Sequence, residues 1–358
     1  MKIKENIQLC LIIGSIFLVL YILFAANPLG QELQLAPEWT INIKDRQFFL
    51  EEGATAQVQI PFKMGQNMGY FTPEGKLTLL ENFPFWATIS STYRAPYSQN
   101  SSVIPFYSFD SNTPVGEIHG SGFPFFTENG FFLFGVGGGA IAQYDFSGNK
   151  LWNFENYVPI ISFSSSPSGV ALGYADGTVL VFSPTGELLQ TFEPGGSTYP
   201  VILGVALSDS GQQLASVSGI DRQRFVLAQE KNGLTKVVYH QYLEMDQKEP
   251  VLVQFSQDEE YVYYGSSIGI GILDCSSLEN RIIKLEGKVI SVKEVPSLDL
   301  VCVLTKNKVG YSVYFIEGFG NLIGGFHFNA DTSFISVKDD SLYVGKDNSI
   351  SKIKIKFE

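Results

Sequence analysis

The stretches "FLFGVGGGAIAQYDFSGNKLWNF" (residues 132–154) and "VALGYADGTVLVFSPTGELLQTF" (residues 170–192) are one pattern written twice. Displaced by 38 residues, Gly135 falls on Gly173, Gly139 on Gly177, Tyr144 on Phe182, Gly148 on Gly186, Leu151 on Leu189 and Phe154 on Phe192. Each copy is an apolar run, a Gly-flanked turn, a second run, an x-x-Gly turn and a third run. Short apolar runs bounded by such turns are strands. A fixed period of about 20–50 residues marks a repeat architecture, so the pattern has to be extended before anything else is concluded.

It extends in both directions. Gly265 and Gly269 in "YVYYGSSIGIGILD" repeat Gly173 and Gly177, and "LYVGKDNSISKIKI" repeats them with Gly345 and with Ser349 in the second place. Fainter copies, "QLASVSGIDRQRFVLAQ" and "LVCVLTKNKVGYSVYFI", lie between. Upstream, "MGYFTPEGKLTLL" carries an x-x-Gly turn at Gly75, 73 residues before Gly148 and close to two periods, and the intervening text fits one more copy. The sum is eight units between residues 34 and 358. Each is about 40 residues, enough for four short strands and their turns, and such units repeated radially are propeller blades. The expected fold is therefore all-β, an eight-bladed β-propeller, or a seven-bladed one if residues 84–119 form no blade. The last unit has room for only three strands after Asp331. "PEWTINI" (residues 37–43) is the candidate to complete it. Closing the ring removes exposed sheet edges.

Composition agrees with strands and tight turns. The chain has 358 residues, 29 Phe, 17 Tyr and 35 Gly, and aromatic residues favour strands while Gly favours turns. A net charge of −12 argues against a nucleic-acid partner, which needs basic groups to neutralise phosphates. Residues 9–26 carry no charge and follow Lys2 and Lys4. That length meets the hydrocarbon thickness of a bilayer, and the lysines orient the N-terminus to the cytoplasm. The expected organisation is a cytoplasmic tail (1–8), a transmembrane signal-anchor helix (9–26), a juxtamembrane linker (27–36) and a propeller ectodomain (37–358). Cys275 and Cys302 read as buried, reduced thiols.

Motifs that mimic catalytic sites dissolve in the repeat. "GVGGGA" from Gly135 to Ala140 has the form of a dinucleotide fingerprint, but a strand follows where a helix must begin. A hairpin turn with positive φ accounts for it and for its counterpart at Gly177. "GSSIG" places Ser267 as in a nucleophile elbow, with His327 downstream, yet it too precedes a strand. His119, His240 and His327 are not at metal-ligand spacing. The acidic runs at 258–260 and 338–340 read as solvated turns. The aromatic-rich text from 83 to 134 exceeds what one strand face needs, which marks Phe123, Phe125, Phe126, Phe131 and Phe132 as candidates for docking a partner.

"AIAQYDFSGNKLWNF" is similar to the repeat of the pyrroloquinoline-quinone-like propellers, with Asp145, Gly148 and Trp152 in that family's positions. Residues 163–192 also resemble a WD40-type blade, without its Gly-His or Trp-Asp signature. The resemblance implies a propeller of the non-enzymatic kind, as in the lipoprotein subunit of the bacterial outer-membrane barrel-assembly machine. The adjacent cysteines of the quinone dehydrogenases are missing from this sequence. The expected function is that of a membrane-anchored, extracytoplasmic scaffold for envelope proteins at the inner membrane. No catalysis, metal or cofactor is expected. The alternatives are a metal- or quinone-type enzyme with a site in the central funnel, and a ligand-binding sensor.

Overall fold

The computed structural model describes residues 14–17, 21, 32–44, 48–50, 58–98, 100–231, 234–244 and 248–357. Two compact units are present, Pro37–Lys354 and a smaller one formed by Met1–Ala36 with Ile355–Glu358. Of the span expected over 9–26, residues 14–17 and 21 are helical, and the rest lies outside the described residues. Among the described residues no helix is long and apolar enough to cross a membrane.

The larger unit is an all-β, eight-bladed propeller, each blade a four-stranded antiparallel sheet. Blade 1 is built on residues 60–82, blade 2 on 86–119, blade 3 on 122–155, blade 4 on 160–192, blade 5 on 202–242, blade 6 on 253–284, blade 7 on 288–328 and blade 8 on 333–357. The first strand of each blade is the innermost. Ile60–Met64 of blade 1, for example, lies against Ser333–Lys338 of blade 8 on one side and Trp86–Ile89 of blade 2 on the other. Residues 84–119 form a true blade, which settles the count at eight.

The repeated residues have repeated places. Tyr144 and Phe182 hold the same place on the third strands, and both blades bulge there before the fourth strand. The second strands pair one residue out of step: Phe131 opposes Tyr144, and Val170, the counterpart of Phe132, opposes Phe182. Gly148 and Gly186 sit at φ +85° and +84° in the turn between third and fourth strands. A Cβ on Gly148 would collide with the Glu117 carbonyl of blade 2, and one on Gly186 with the Trp152 ring of blade 3. The turn glycine thus lets each blade approach the outer strand of the one before it. Trp152 is 9% exposed, stacks on Phe182 at 5.6 Å and donates its indole N–H to Gln143 Oε1 at 2.6 Å. That pairing satisfies the one polar atom the ring carries inward.

The N-terminal segment closes the ring twice. Leu33–Asn42 forms the outer strand of blade 8, as the sequence indicates, beginning four residues before the expected boundary at 37. Thr40 Oγ1 lies 2.8 Å from Ser351 Oγ, Lys352 Nζ lies 2.7 Å from Glu38 Oε2, and Ile43 N–H donates to the Asn348 carbonyl. Phe48–Leu50 then supplies the outer strand of blade 1, pairing with Leu79–Glu81. Blade 1 therefore has no fourth strand of its own after Asn82, and the chain passes directly to Trp86. Gly75 is the counterpart of Gly148, as expected. At φ +86° it closes the turn before the last strand blade 1 builds for itself, and its N–H donates to the Thr72 carbonyl as that of Gly148 does to Asp145. A Cβ on it would strike the Trp39 ring on the outer strand of blade 8.

Apolar clusters fill the spaces between neighbouring blades, as Phe225 stacked on Tyr264 at 4.0 Å shows for blades 5 and 6. Polar latches join the turns between first and second strands. Ser91 of blade 2 donates to Glu128 of blade 3 at 2.8 Å, and Glu259 of blade 6 accepts from the Ser210 amide and hydroxyl of blade 5 at 2.5 and 2.6 Å. The Gln257 amide donates to Glu294 of blade 7 at 3.0 Å. Between blades 1 and 2 the latch is buried. Arg94, 2% exposed, donates from Nε to Glu81 at 2.8 Å and from its two other nitrogens to the Ser108 and Ser111 carbonyls.

Candidate functional site: the central channel and the two ends

Of the five phenylalanines expected to dock a partner, three are core. Phe126, Phe131 and Phe132 are at most 5% exposed and pack between blades. A propeller buries both faces of each sheet against its neighbours, so period-2 alternation puts aromatics inside on both sides. Phe123 and Phe125 differ. They lie on the innermost strand of blade 3, Gly122–Thr127, where Phe125 is 49% exposed and meets Phe163 of blade 4 edge-on at 5.7 Å. Phe123 reaches the other way, to Trp86 of blade 2 at 6.0 Å, and Trp86 stacks on Tyr97 at 6.2 Å.

These rings belong to the wall of the central channel. Six residues on the innermost strands are exposed: Lys63, Trp86, Phe125, Ile290, Lys293 and Lys338. Where the innermost strands of blades 4, 5 and 6 end, a cavity of about 210 Å³ opens among Ser164, Ser165, Asp209, Gln254 and Gln257.

The two ends of the propeller differ in chemistry. One end carries the turns between first and second strands and between third and fourth. Among the described residues those turns, including the turn at residues 72–76 of blade 1 that matches the third-to-fourth turns of the other blades, hold thirteen carboxylates, eight in the former and five in the latter, and one lysine, Lys76. The acidic runs at 258–260 and 338–340 fall here, in the turns between the first and second strands of blades 6 and 8. Hydrogen bonds hold the Asp258 carboxyl below the usual range, the Ser256 hydroxyl at 2.5 Å foremost, and Lys354 at 2.6 Å does the same for Asp340. At the opposite end, the turns and blade-to-blade links expose apolar groups: Val136, Tyr157, Tyr199, Ile268 and Val309, from 40% to fully exposed. Sequence reasoning missed these, because a single aromatic in a polar loop has no periodic signal.

The catalytic mimics do not assemble. In the Gly-rich turn of blade 3 the positive φ is at Gly138, +77°, while Gly177 has it in blade 4 at +94°. Gly139, expected to share it, instead allows the Asn156 carbonyl to approach. Ser267 sits in a hairpin of blade 6 and donates its hydroxyl to the Glu244 carbonyl at 2.8 Å. His327 is bonded to Ser312 and Asn329 on the outer strand of blade 7. His119 and His240 are exposed on the outer strands of blades 2 and 5. No cluster of three or more metal-ligating side chains occurs among the described residues. Cys275 and Cys302 are free and buried, and burial pushes both thiols up to about 12.

Comparison with known proteins agrees with this architecture. An uncharacterized protein of Treponema pallidum (strain Nichols) is 30% identical over 362 residues, which covers 99% of this chain and 96% of the relative. Among solved structures, BamB from Moraxella catarrhalis superposes with a TM-score of 0.62 at 13% identity, covering 90% of this chain and all of that one. The computationally designed Ika8 protein gives 0.59 at 13% identity, covering 87% of this chain and all of that one. At such identities the likeness is one of fold. A family model described as beta-propeller protein matches residues 1–357, and with the eight closed blades in view the chain is a member of that family.

Proposed function

We propose that this protein is a non-catalytic interaction scaffold, held at the periplasmic face of the inner membrane by residues 9–26 and docking an envelope protein on its apolar end. The uncharged stretch behind Lys2 and Lys4 supports the anchor. The observation that carries the docking surface is the contrast between the ends. Tyr157 and Tyr199 stand fully or largely exposed on adjacent blade-to-blade links, with Val136 nearby in sequence. The turns of the other end are mostly acidic and, among the described residues, expose only Val115 and Phe146 as large apolar groups. Exposed aromatics at the centre of a patch are what interfaces are built on. An acidic surface stays hydrated and keeps the assembly oriented.

The test is site-specific photo-cross-linking of the full-length protein in its native membrane. A photoreactive residue at Tyr157 or Tyr199 should give one discrete adduct, and the same residue at Ser276 on the acidic end should give none. Adducts from the acidic end alone, or from neither end, would sink the docking surface.

A further inference from the structure

The channel wall inverts the charge of the molecule. The chain carries −12, yet the eight innermost strands hold four lysines and a single carboxylate, Glu294. Glu294 is taken by the Gln257 amide, and Lys288 by Glu249 at 2.7 Å. That leaves Lys63, Lys293 and Lys338 as exposed cations on blades 1, 7 and 8, which are consecutive in the ring. No exposed carboxylate lies on the same strands.

Lys63 and Lys293 have a further property in common. Both are accessible to solvent, and both ammonium groups are nevertheless lowered below the ordinary lysine range by desolvation alone. Their place on the innermost strands, at the channel wall, accounts for both observations. Lys63 gives one hydrogen to the Ala87 carbonyl at 2.8 Å, beside Trp86, and its other two have no acceptor among the described residues. Lys293 has no hydrogen-bond or ion-pair partner among them. A partly desolvated cation without a counter-charge is costly. It is stabilised by an anion entering the same space. One blade separates the two lysines, and packed sheets lie about 10 Å apart, less at their inner edges. Their long stems can therefore converge on one ligand.

We propose that the central channel is a binding site for a small multivalent oxyanion, held between Lys63 and Lys293 with Lys338 at the mouth. The ligand carries at least two negative charges, as carboxylates or as phosphate. Trp86, Phe125 and Ile290 offer its carbon skeleton an apolar wall.

Isothermal titration of the full-length protein in detergent, with citrate and with inorganic pyrophosphate as separate probes and acetate as the monovalent control, tests this. One or both multivalent probes should bind at one per chain while acetate does not, and the better probe identifies carboxylate or phosphate as the preferred head. Lys63→Gln and Lys293→Gln should each weaken binding about tenfold or more, the size of one lost charge-assisted contact. Lys308→Gln, an exposed lysine in a hairpin of blade 7, should change nothing. Mass spectrometry after reductive methylation supplies a second readout, since the bound probe should protect Lys63 and Lys293 and leave Lys308 reactive. Absence of binding at about 10 mM probe, or binding that survives both channel substitutions in folded protein, overturns the proposal.

Discussion

Arg94 shows what a single residue does at the one irregular junction of the ring. Its guanidinium is buried against Glu81, two carbonyls and the Tyr107 ring at 5.0 Å, where the chain leaves blade 1 after only three strands of its own. Removing one partner of a buried pair strands the other charge, at a cost of about 3–5 kcal/mol. Glu81→Gln should therefore lower the urea-unfolding free energy by about 3 kcal/mol. A loss under about 0.5 kcal/mol, the level of an ordinary surface change, would show that the pair is not buried in solution. The repeat glycines make a sharper contrast. Gly173, Gly265 and Gly345 align in the sequence, yet a Cβ on Gly173 would strike Ser162 and Ile202, while on Gly265 nothing comes nearer than 3.7 Å. Gly265→Ala should be neutral or stabilising by up to about 1 kcal/mol, and Gly173→Ala should destabilise by more than that. Denaturant melts of the two variants decide it. The shared pattern was legible in the sequence, but which glycine is obligatory depends on the side chain that the next blade places opposite.

At the scale of elements, closure rests on Leu33–Asn42. The sequence pointed to this strand because the last unit lacked one and "PEWTINI" alternates. Phe48–Leu50 could not be found that way. Three residues carry no periodicity, and their partners, Leu79–Glu81, are reached only through folding. The Thr40 and Ser351 hydroxyls, 2.8 Å apart, offer a direct test of the closing strand. Thr40→Cys with Ser351→Cys should oxidise spontaneously and raise the oxidised protein's stability by about 2–4 kcal/mol over the reduced form, because the bond closes most of the chain into one loop. Failure to form the disulfide would place Leu33–Asn42 elsewhere.

For the whole molecule, burial of weak acids sets the alkaline limit. Burial pushes the Cys275 and Cys302 thiols and the Tyr174 and Tyr343 phenols up to about 12, whereas unfolded chains titrate near 8.5 and 10. The native state then holds protons that the unfolded state releases. This contribution is complete below about pH 8.5 and is lost as pH rises toward 12. Urea midpoints should fall between about pH 8.5 and 11, and a fraction of the tyrosinate absorbance, that of the buried phenols, should rise only together with unfolding. Ionisation of every tyrosine near about pH 10 at unchanged stability would contradict the burial.

The sequence by itself determined the blade, its four-strand length and the strand that closes the last one, and narrowed the blades to eight or seven. These follow from local periodicity and turn chemistry, which are written in neighbouring residues. The tertiary structure decided the rest. It took Phe126, Phe131 and Phe132 into the core, because a propeller sheet is covered on both faces. It sorted the charges, sending carboxylate turns to one end and lysines such as Lys63 and Lys293 to the channel wall. Residues far apart in the chain meet there only because eight first strands surround one axis, and no local pattern records that meeting.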